Sequence, residues 1–264
     1  MKFTINLKSF PAEPYFTVRE HLQKIVHKPS SDVLYKDIEA SLRKLFVISQ
    51  DYSFALVNCS QKATFLENFY SVKIKDDPKT GIDLFAEAYA ASSEFDVLDL
   101  SYSFPQVNDG IMQYDSILMD LSISLGIPGN HLAYFYRNQK FHHDNYFQTD
   151  SDPSENDLHL ISSVLNDLKI KGMDQLIRES NYKSAVLYQC FDSNPNFKIV
   201  TSKEKRSRTM IVVDTSIDMI ERINQLGYDI SHVMLADRER ITLANYATHS
   251  KELIEMFADR VAEI

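Results

Sequence analysis

The stretch YDSILMDLSISLGIPGN, from Tyr114 to Asn130, decides how this sequence folds. Its apolar residues between positions 117 and 121 form a run too short for most helices, which predicts a buried strand. Glycine and proline at 126–129 then break regular structure, so the residues after the strand, 122–125 included, are predicted to form a loop. A strand that ends in such a loop commonly delivers functional groups in an α/β protein. The side chains at 122–125, however, include no strong nucleophile, general base or metal ligand.

The composition is that of an acidic globular protein. The chain has 264 residues, of which 44% are apolar, so it can bury one large core or two smaller ones. Its formal net charge of −9, from 37 acidic and 28 basic residues, argues against nucleic acid as the main partner. The only dense basic segment, KEKRSR at 203–208, is interpreted as a solvated face in preference to an anion site.

No segment of the sequence indicates export or membrane insertion. The first residues, MKFTINLKSF, lack the apolar region of a signal peptide. No apolar run approaches the roughly 20 residues that span a bilayer. Cys59 and Cys190 lie far apart in sequence and indicate no disulfide framework. We therefore expect a cytoplasmic protein that does not contact the membrane.

Helical and strand patterns alternate through the first part of the chain, which predicts a mostly parallel sheet. Within this part, Ile82 to Ala91 has the pattern of a helix. The acidic, aperiodic segment FHHDNYFQTDSDPSEND predicts a domain boundary. It divides an N-terminal segment and large α/β domain, at 1–145, from a small α+β domain at 146–264. In the second part, Ser250 is expected to cap a final helix whose apolar face includes Leu253 and Phe257.

Several blocks of sequence, taken in order along the chain, resemble one family. They are FPAEPYFTVREHLQKIVH, EASLRKLFVISQDYSFALVN, VLDLSYSFP, YDSILMDLSISLGIPGN, KSAVLYQCFDSNPNFKIVTSKEKRSRTMIVV and RITLANYATHSKELIEMFADRV. Together they resemble the class V aminotransferases of PLP-dependent fold type I, most closely the phosphoserine aminotransferase-like branch. The resemblance implies an α/β PLP-transferase fold. Between FLENF and VLDLSYSFP that family has several strand–helix units which this chain lacks, so we expect a truncated large domain with a narrower sheet.

The resemblance also places the family's site residues on this chain, and most of them are changed. Asp99 falls at the aspartate that meets the pyridine nitrogen of PLP. Ile123 falls at the Schiff-base lysine, and an isoleucine cannot form an imine. The phosphate-binding turn has become NCSQKATF, without glycine, and the arginine that grips the substrate carboxylate falls at Thr242. The remnant cofactor-binding residues are thus Asp99, Ser60 and Ser122, and the candidate substrate-binding residues are Lys28, Arg240 and Arg206.

Two functions remain open from the sequence. In the first, the chain is a degenerate, catalytically inactive aminotransferase-like protein that acts as a binding or dimerisation scaffold. It would form a homodimer, or a heterodimer with a related aminotransferase, and would need no cofactor. In the second, it is an enzyme with altered chemistry, or it binds PLP non-covalently in the old cleft. Both leave room for a small anionic ligand.

A metal site is a weaker alternative. His142, His143 and Asp144 offer ligand types that bind metals, but they lie in a polar segment that is interpreted as a solvated linker. Ligand type alone is a weak signal, so no metal is expected.

Overall fold

The computed structural model describes residues 5–6, 29–58, 88–92, 95–101, 104–105, 112, 114–127, 129–137, 152–235 and 238–264. The helices in these ranges are α1 (Ser31–Phe46), α2 (Leu121–Leu125), α3 (Glu155–Lys171), α4 (Met173–Ser193), α5 (Ile217–Gln225) and α6 (Lys251–Ala262). The strands are β1 (Ile5–Asn6), β2 (Ser53–Asn58), β3 (Ala88–Ser92), β4 (Phe95–Asp99), β5 (Ser116–Asp120), β6 (His131–Tyr136), β7 (Lys198–Ile199), β8 (Met210–Thr215), β9 (Tyr228–Asp229), β10 (Ser231–Leu235) and β11 (Arg238–Ala244).

Five strands form the larger sheet, in the order β2-β6-β5-β4-β3. Strands β4 and β5 are parallel, but the other three neighbouring pairs are antiparallel. The prediction of a mostly parallel sheet is therefore wrong for the described strands. The physical reason is the length of the connections. A parallel neighbour needs a crossover of about a dozen residues or more, and only residues 121–130 separate β5 from β6, and 93–94 separate β3 from β4.

The helix expected at Ile82 to Ala91 is also wrong where the structure describes it. Residues 88–91 lie in β3, which pairs with β4 as a hairpin. Residues 82–87 lie outside the described part of the chain. Helix propensity is a weak preference that tertiary pairing overrides, and here the neighbouring strand decides the outcome.

Helices α1 and α3 pack against each other and share one core with the larger sheet. Ile38 of α1 and Ile161 of α3 are both fully buried in this core. At its margin, the Asp37 carboxylate accepts a hydrogen bond of 2.5 Å from the Ser162 hydroxyl. The division of the chain between residues 145 and 146 stays a prediction. The core that α3 shares with α1 favours a boundary placed after α3.

The second part of the chain builds a smaller antiparallel sheet, in the order β10-β11-β8-β7. This sheet and helices α4, α5 and α6 enclose a second core, in which the Phe257 ring meets the rings of Phe191 and Tyr228. Helix α6 begins as predicted, because the Ser250 hydroxyl accepts a 3.1 Å hydrogen bond from the Leu253 amide. Strand β1 pairs in parallel with β9, so residues near the start of the chain join this part.

Bilayer-spanning helices need both length and apolarity, and no helix within the described ranges has both.

Candidate functional site

The carboxyl ends of three strands meet at one edge of the larger sheet. Strands β2, β4 and β5 run in the same direction and end at Asn58, Asp99 and Asp120. Strand β6 runs the opposite way, so its first residue, His131, lies at the same edge, paired with Asn58. Ligands of open α/β sheets bind in the crevice outside this edge. We therefore take these strand ends as the candidate site. They include Asp99, which lies at a strand end as the sequence predicts.

The segment around Ile123 folds as a short helix that follows β5 directly. Helix α2 occupies residues where a loop was expected. The Asp120 carboxylate organises its start, accepting hydrogen bonds from the Ser122 amide at 3.0 Å and from the Ser122 hydroxyl. The Ser124 hydroxyl donates to the Asp120 carbonyl at 2.7 Å. Both hydroxyls that flank Ile123 are therefore used in holding the turn.

Strand β5 is also fixed to the end of β4. The Asp120 amide donates a 2.8 Å hydrogen bond to the Ser101 hydroxyl, and the Leu100 amide donates a 2.9 Å bond to the Leu118 carbonyl. These bonds place Asp99 beside the strand that leads into α2. The fold thus brings two predicted site residues to the same edge of the sheet: Asp99 at the end of β4, and Ser122 in α2, directly after β5.

His131 is a member of this edge that the sequence reasoning missed. Its Nδ1 lies 2.8 Å from the Asn58 side-chain oxygen. The Asn58 amide nitrogen donates to the Asp152 carbonyl at 3.3 Å, so its oxygen faces the histidine and Nδ1 is the donor. On the other side of the ring, Nε2 lies 3.8 Å from the Asp157 carboxylate. The signal in the sequence was the position of His131, immediately after the GIPGN loop and at the start of a strand.

Gly129 allows the loop to pass close to this histidine. Its φ of +113° is a backbone conformation that side chains disfavour, and an added Cβ would lie 2.3 Å from His131 Nε2. Since the His131 ring is buried and held by Asn58, it cannot move aside easily. Glycine is therefore required at this point by both backbone conformation and space.

A loop from the second part of the chain reaches α2. The Thr248 hydroxyl donates a 2.9 Å hydrogen bond to the Leu125 carbonyl at the end of α2. Lys183 of α4 also holds this loop. Its Nζ donates hydrogen bonds to the carbonyls of Tyr246 at 2.5 Å and His249 at 2.9 Å. Lys183 is fully buried. Burial lowers its pKa to about 7. Sequence reasoning missed this role, because a lysine on an amphipathic helix normally lies on the solvated face.

Comparisons with known proteins identify the architecture through structure, not through sequence. No protein-family model matches the chain, and no curated protein sequence matches it. A solved phosphoserine aminotransferase from Cytophaga hutchinsonii superposes with a TM-score of 0.79 at 15% identity, covering 100% of this chain and 99% of that one. The PLP-bound phosphoserine aminotransferase from Trichomonas vaginalis gives 0.72 at 11% identity, with 99% of each chain covered. Alanine–glyoxylate aminotransferase from Nostoc sp. gives 0.74 at 10% identity, covering 100% and 95%.

The chain has the PLP-transferase fold of the class V aminotransferases. The predicted PLP-transferase fold is thus confirmed, apart from the mostly parallel sheet, which the described strands do not form. The chain is short relative to full aminotransferases, consistent with a truncated large domain.

The described residues do not fit a PLP held as a Schiff base at the position that the family resemblance assigns to the lysine. Ile123 has no amine, and the neighbouring Ser122 and Ser124 hydroxyls already donate to Asp120. Lys183 has the lowered pKa that imine chemistry favours. Its Nζ, however, is buried and bound to two backbone carbonyls, so it cannot substitute.

The two described candidates for substrate binding are each held in an ion pair within the chain. Arg240 contacts both carboxylate oxygens of Asp214, at 2.7 and 3.1 Å. Arg206 contacts both oxygens of Asp192, at 2.7 and 2.8 Å, and these hydrogen bonds lower the Asp192 pKa. Its guanidinium also lies 4.7 Å from the centre of the Tyr188 ring. Substrate binding by either arginine stays a prediction and would require its pair to open.

The structure does not describe the remaining predicted positions. Ser60, Lys28 and the metal alternative at His142, His143 and Asp144 lie outside the described residues. Among the residues that the structure does describe, no group of three or more histidine, cysteine, aspartate or glutamate side chains could hold a metal ion.

Proposed function

We propose that this chain is a catalytically inactive aminotransferase-like protein that acts as a binding or dimerisation scaffold. The observation that carries the proposal is the turn around Ile123. Isoleucine has an alkyl side chain, where the family resemblance places the catalytic amine. The hydroxyls of the flanking Ser122 and Ser124 already donate hydrogen bonds to Asp120. Without the amine, covalent capture of PLP and the transfer of its imine to a substrate cannot occur at this position.

The arginine pairs support the same proposal. A guanidinium recognises a carboxylate through two parallel hydrogen bonds. Arg240 already makes such a pair with Asp214, and Arg206 makes one with Asp192. A substrate carboxylate would have to displace an aspartate that is held within the same chain. The changed lysine position and the paired arginines would thus weaken two different steps, cofactor capture and substrate binding.

A second candidate function is an enzyme with altered chemistry, or one that binds PLP non-covalently in the old cleft. The observation that favours it is His131, which lies between Asn58 and Asp157 at the carboxyl edge of the sheet. A histidine at this edge, where β4 and β5 end in Asp99 and Asp120, could act as a general base. His131 is buried, so a substrate would have to reach it through a change in the GIPG loop.

The test is the visible absorbance of the purified protein with PLP, before and after borohydride reduction and dialysis. We expect no retained, reducible band. The Ile123→Lys variant is expected to show no turnover of any amino donor, because the carboxylate-binding arginine and the glycine of the phosphate turn are also changed. Turnover by that single variant would contradict the proposal. A band that resists dialysis in the unaltered protein would make the second candidate the leading one.

The scaffold role also predicts an oligomer. The solved structures that this chain resembles include aminotransferases, which are typically dimeric. We propose that this chain retains a dimer surface although it no longer catalyses the reaction. Light scattering at micromolar concentration should give twice the chain mass. A monomer mass would count against a homodimer and leave pairing with a related aminotransferase as the remaining form. The cytoplasmic location stays a prediction.

A further inference from the structure

Helices α4 and α6 border an open groove with polar side chains on the surface of the second part of the chain. Gln175, Arg178, Glu179 and Tyr182 lie on one face of α4, at the spacing of successive helical turns. Lys251, the first residue of α6, closes the groove from the other side. The volume is about 390 Å³, within the roughly 300–1,000 Å³ of small-molecule sites. We name it the α4–α6 groove.

Glu179 is the carboxylate of the groove, and its charge is already neutralised. Its two oxygens accept hydrogen bonds from Gln175 at 2.9 Å and from Lys171 at 3.2 Å. Burial alone would raise the Glu179 pKa, but these bonds, with the charges of Lys171 and Lys251, lower it. Glu179 is therefore ionised and satisfied. It does not need the remaining cation of the groove, Arg178.

Arg178 and Lys251 have no ion pair or side-chain hydrogen bond within the described part of the chain. Both side chains are exposed. Arg240 and Arg206, by contrast, each have a guanidinium that is paired with an aspartate carboxylate. Of the five residues that line the groove, two are cationic and one is anionic, in a chain whose net charge is −9.

We propose that the α4–α6 groove binds a small oxyanion, carboxylate or phosphate, between Arg178 and Lys251. The planar guanidinium supplies two parallel donors to such a group and the ammonium supplies a compact charge. The Tyr182 ring forms a wall beside them, while its hydroxyl is turned to the Glu255 carboxylate. The acidic surface elsewhere would repel an extended polyanion, so the ligand is a small molecule. None of these residues belongs to the carboxyl edge of the larger sheet, and the proposal holds whether or not the old cleft is active.

The experiment is an NMR titration of the ¹⁵N-labelled full chain with inorganic phosphate and, separately, with acetate. Ionic strength is held constant with chloride. Amide shifts should saturate and cluster at residues 175–182 and 250–252. Arg178→Gln and Lys251→Gln should each weaken the apparent affinity by about tenfold, as for loss of one charge-assisted hydrogen bond. Lys36→Gln, an exposed lysine on α1, is the matched control and should leave affinity unchanged.

The two anions separate the sources of the ligand. Saturation at lower phosphate than acetate concentration would indicate a phosphate-bearing molecule, and the reverse order a carboxylate; either result supports the proposal. Shifts that never saturate, or affinities within about twofold of the unaltered protein in both variants, would overturn it. Because Arg178 and Lys251 are exposed, the variants should fold, which circular dichroism checks. Failure here would leave the PLP test of the proposed function unaffected.

Discussion

Replacing Lys183 with methionine should abolish most of the rise in unfolding free energy that the unaltered protein shows between pH 7.5 and 8.5. Lys183 is fully buried in α4, and burial lowers its pKa to about 7. In the unfolded chain the pKa returns to about 10.4. Within this window the unfolded chain holds a proton that the native chain has released, so stability increases with pH. The expected slope is about 1 kcal/mol per pH unit, close to the limit for one proton.

None of the groups that face Lys183 produces the rise in unfolding free energy between pH 7.5 and 8.5. Glu179 on the same helix raises the Lys183 pKa, and Lys171 on α3 lowers it, but burial is the larger cause. His249, which accepts the lysine's hydrogen bond through its carbonyl, has a pKa lowered to about 3 by burial and by the Lys183 charge. Its ring is neutral in the native chain well below the window. Its effect on stability falls between about pH 3 and 6.5, where the unfolded chain binds the extra proton.

The upper limit of the window is set by groups with the opposite sign. Burial raises the pKa of Cys190 to about 11 and that of Tyr35 to about 12. The native chain keeps these protons after the unfolded chain has lost them, so their contributions to stability fall as pH increases through the unfolded-state pKa values, about 8.5 for Cys190 and about 10 for Tyr35. The contribution of Cys190 reduces the slope near pH 8.5 equally in the unaltered protein and in Lys183→Met, so the difference between the two slopes reports on Lys183.

Urea unfolding at pH 7.5, 8.0 and 8.5 measures the slope. Lys36→Met removes an exposed lysine from another helix and should retain the slope of the unaltered protein. A Lys183→Met variant whose unfolding free energy rises with pH as steeply as that of the unaltered protein would contradict the assignment. The result bears on the site, because Lys183 holds the loop whose Thr248 hydroxyl contacts the end of α2.

The sequence predicted those parts of the molecule that local rules or the family resemblance determine. The start of α6 at Ser250 follows from capping chemistry, and the structure has the hydrogen bond that the rule requires. The PLP-transferase fold followed from the order of the resembling blocks and is confirmed by the solved structures. The resemblance placed Asp99 on a strand and Ser122 just after the next one; Asp99 does end β4, and Ser122 lies in α2, directly after the neighbouring strand β5.

The sequence could not predict features that depend on partners distant along the chain. Whether neighbouring strands are parallel depends on which strands pair in the fold. In the larger sheet β6 lies between β2 and β5 and is antiparallel to both, so the prediction of parallel pairs was wrong there. The ion pairs of Arg240 and Arg206 join residues 26 and 14 positions apart. The Lys183 contacts span more than 60 positions, so helical periodicity alone predicts the wrong exposure for this lysine.

Replacing Arg43 with alanine should lower the unfolding free energy by about 3 kcal/mol, the lower end of the cost of removing one partner from a buried ion pair, because Glu39 is partly exposed. Arg43 lies in the last turn of α1 and is 7% exposed. Its guanidinium donates to the carbonyls of Ser49 at 2.5 Å and Tyr52 at 2.6 Å, and to the Glu39 carboxylate at 2.7 and 2.9 Å. It also lies 5.2 Å from the centre of the Phe135 ring. The alanine variant would leave the buried Tyr52 carbonyl without this donor.

The position of Arg43 connects this cost to the candidate site. Val47, which ends α1, has a φ of +55°, a conformation that is unfavourable for a β-branched residue. The hydrogen bonds from Arg43 hold the turn that follows it and so fix the start of β2. That strand ends at Asn58, the partner of His131. Weakening the Arg43 contacts should therefore loosen the carboxyl edge of the sheet as well as lower overall stability.

Two control variants separate the fork geometry of Arg43 from its charge. Arg43→Lys keeps the charge but cannot donate to two carbonyls and a carboxylate at once, so it should recover only part of the loss. Lys44→Ala removes the exposed neighbour and should cost less than about 0.5 kcal/mol. Urea unfolding gives the stabilities, and hydrogen exchange of the Asn58 and His131 amides reports on the sheet edge. If Arg43→Ala cost no more than Lys44→Ala, the turn would be held by its own backbone, and the strained Val47 would need another source of support.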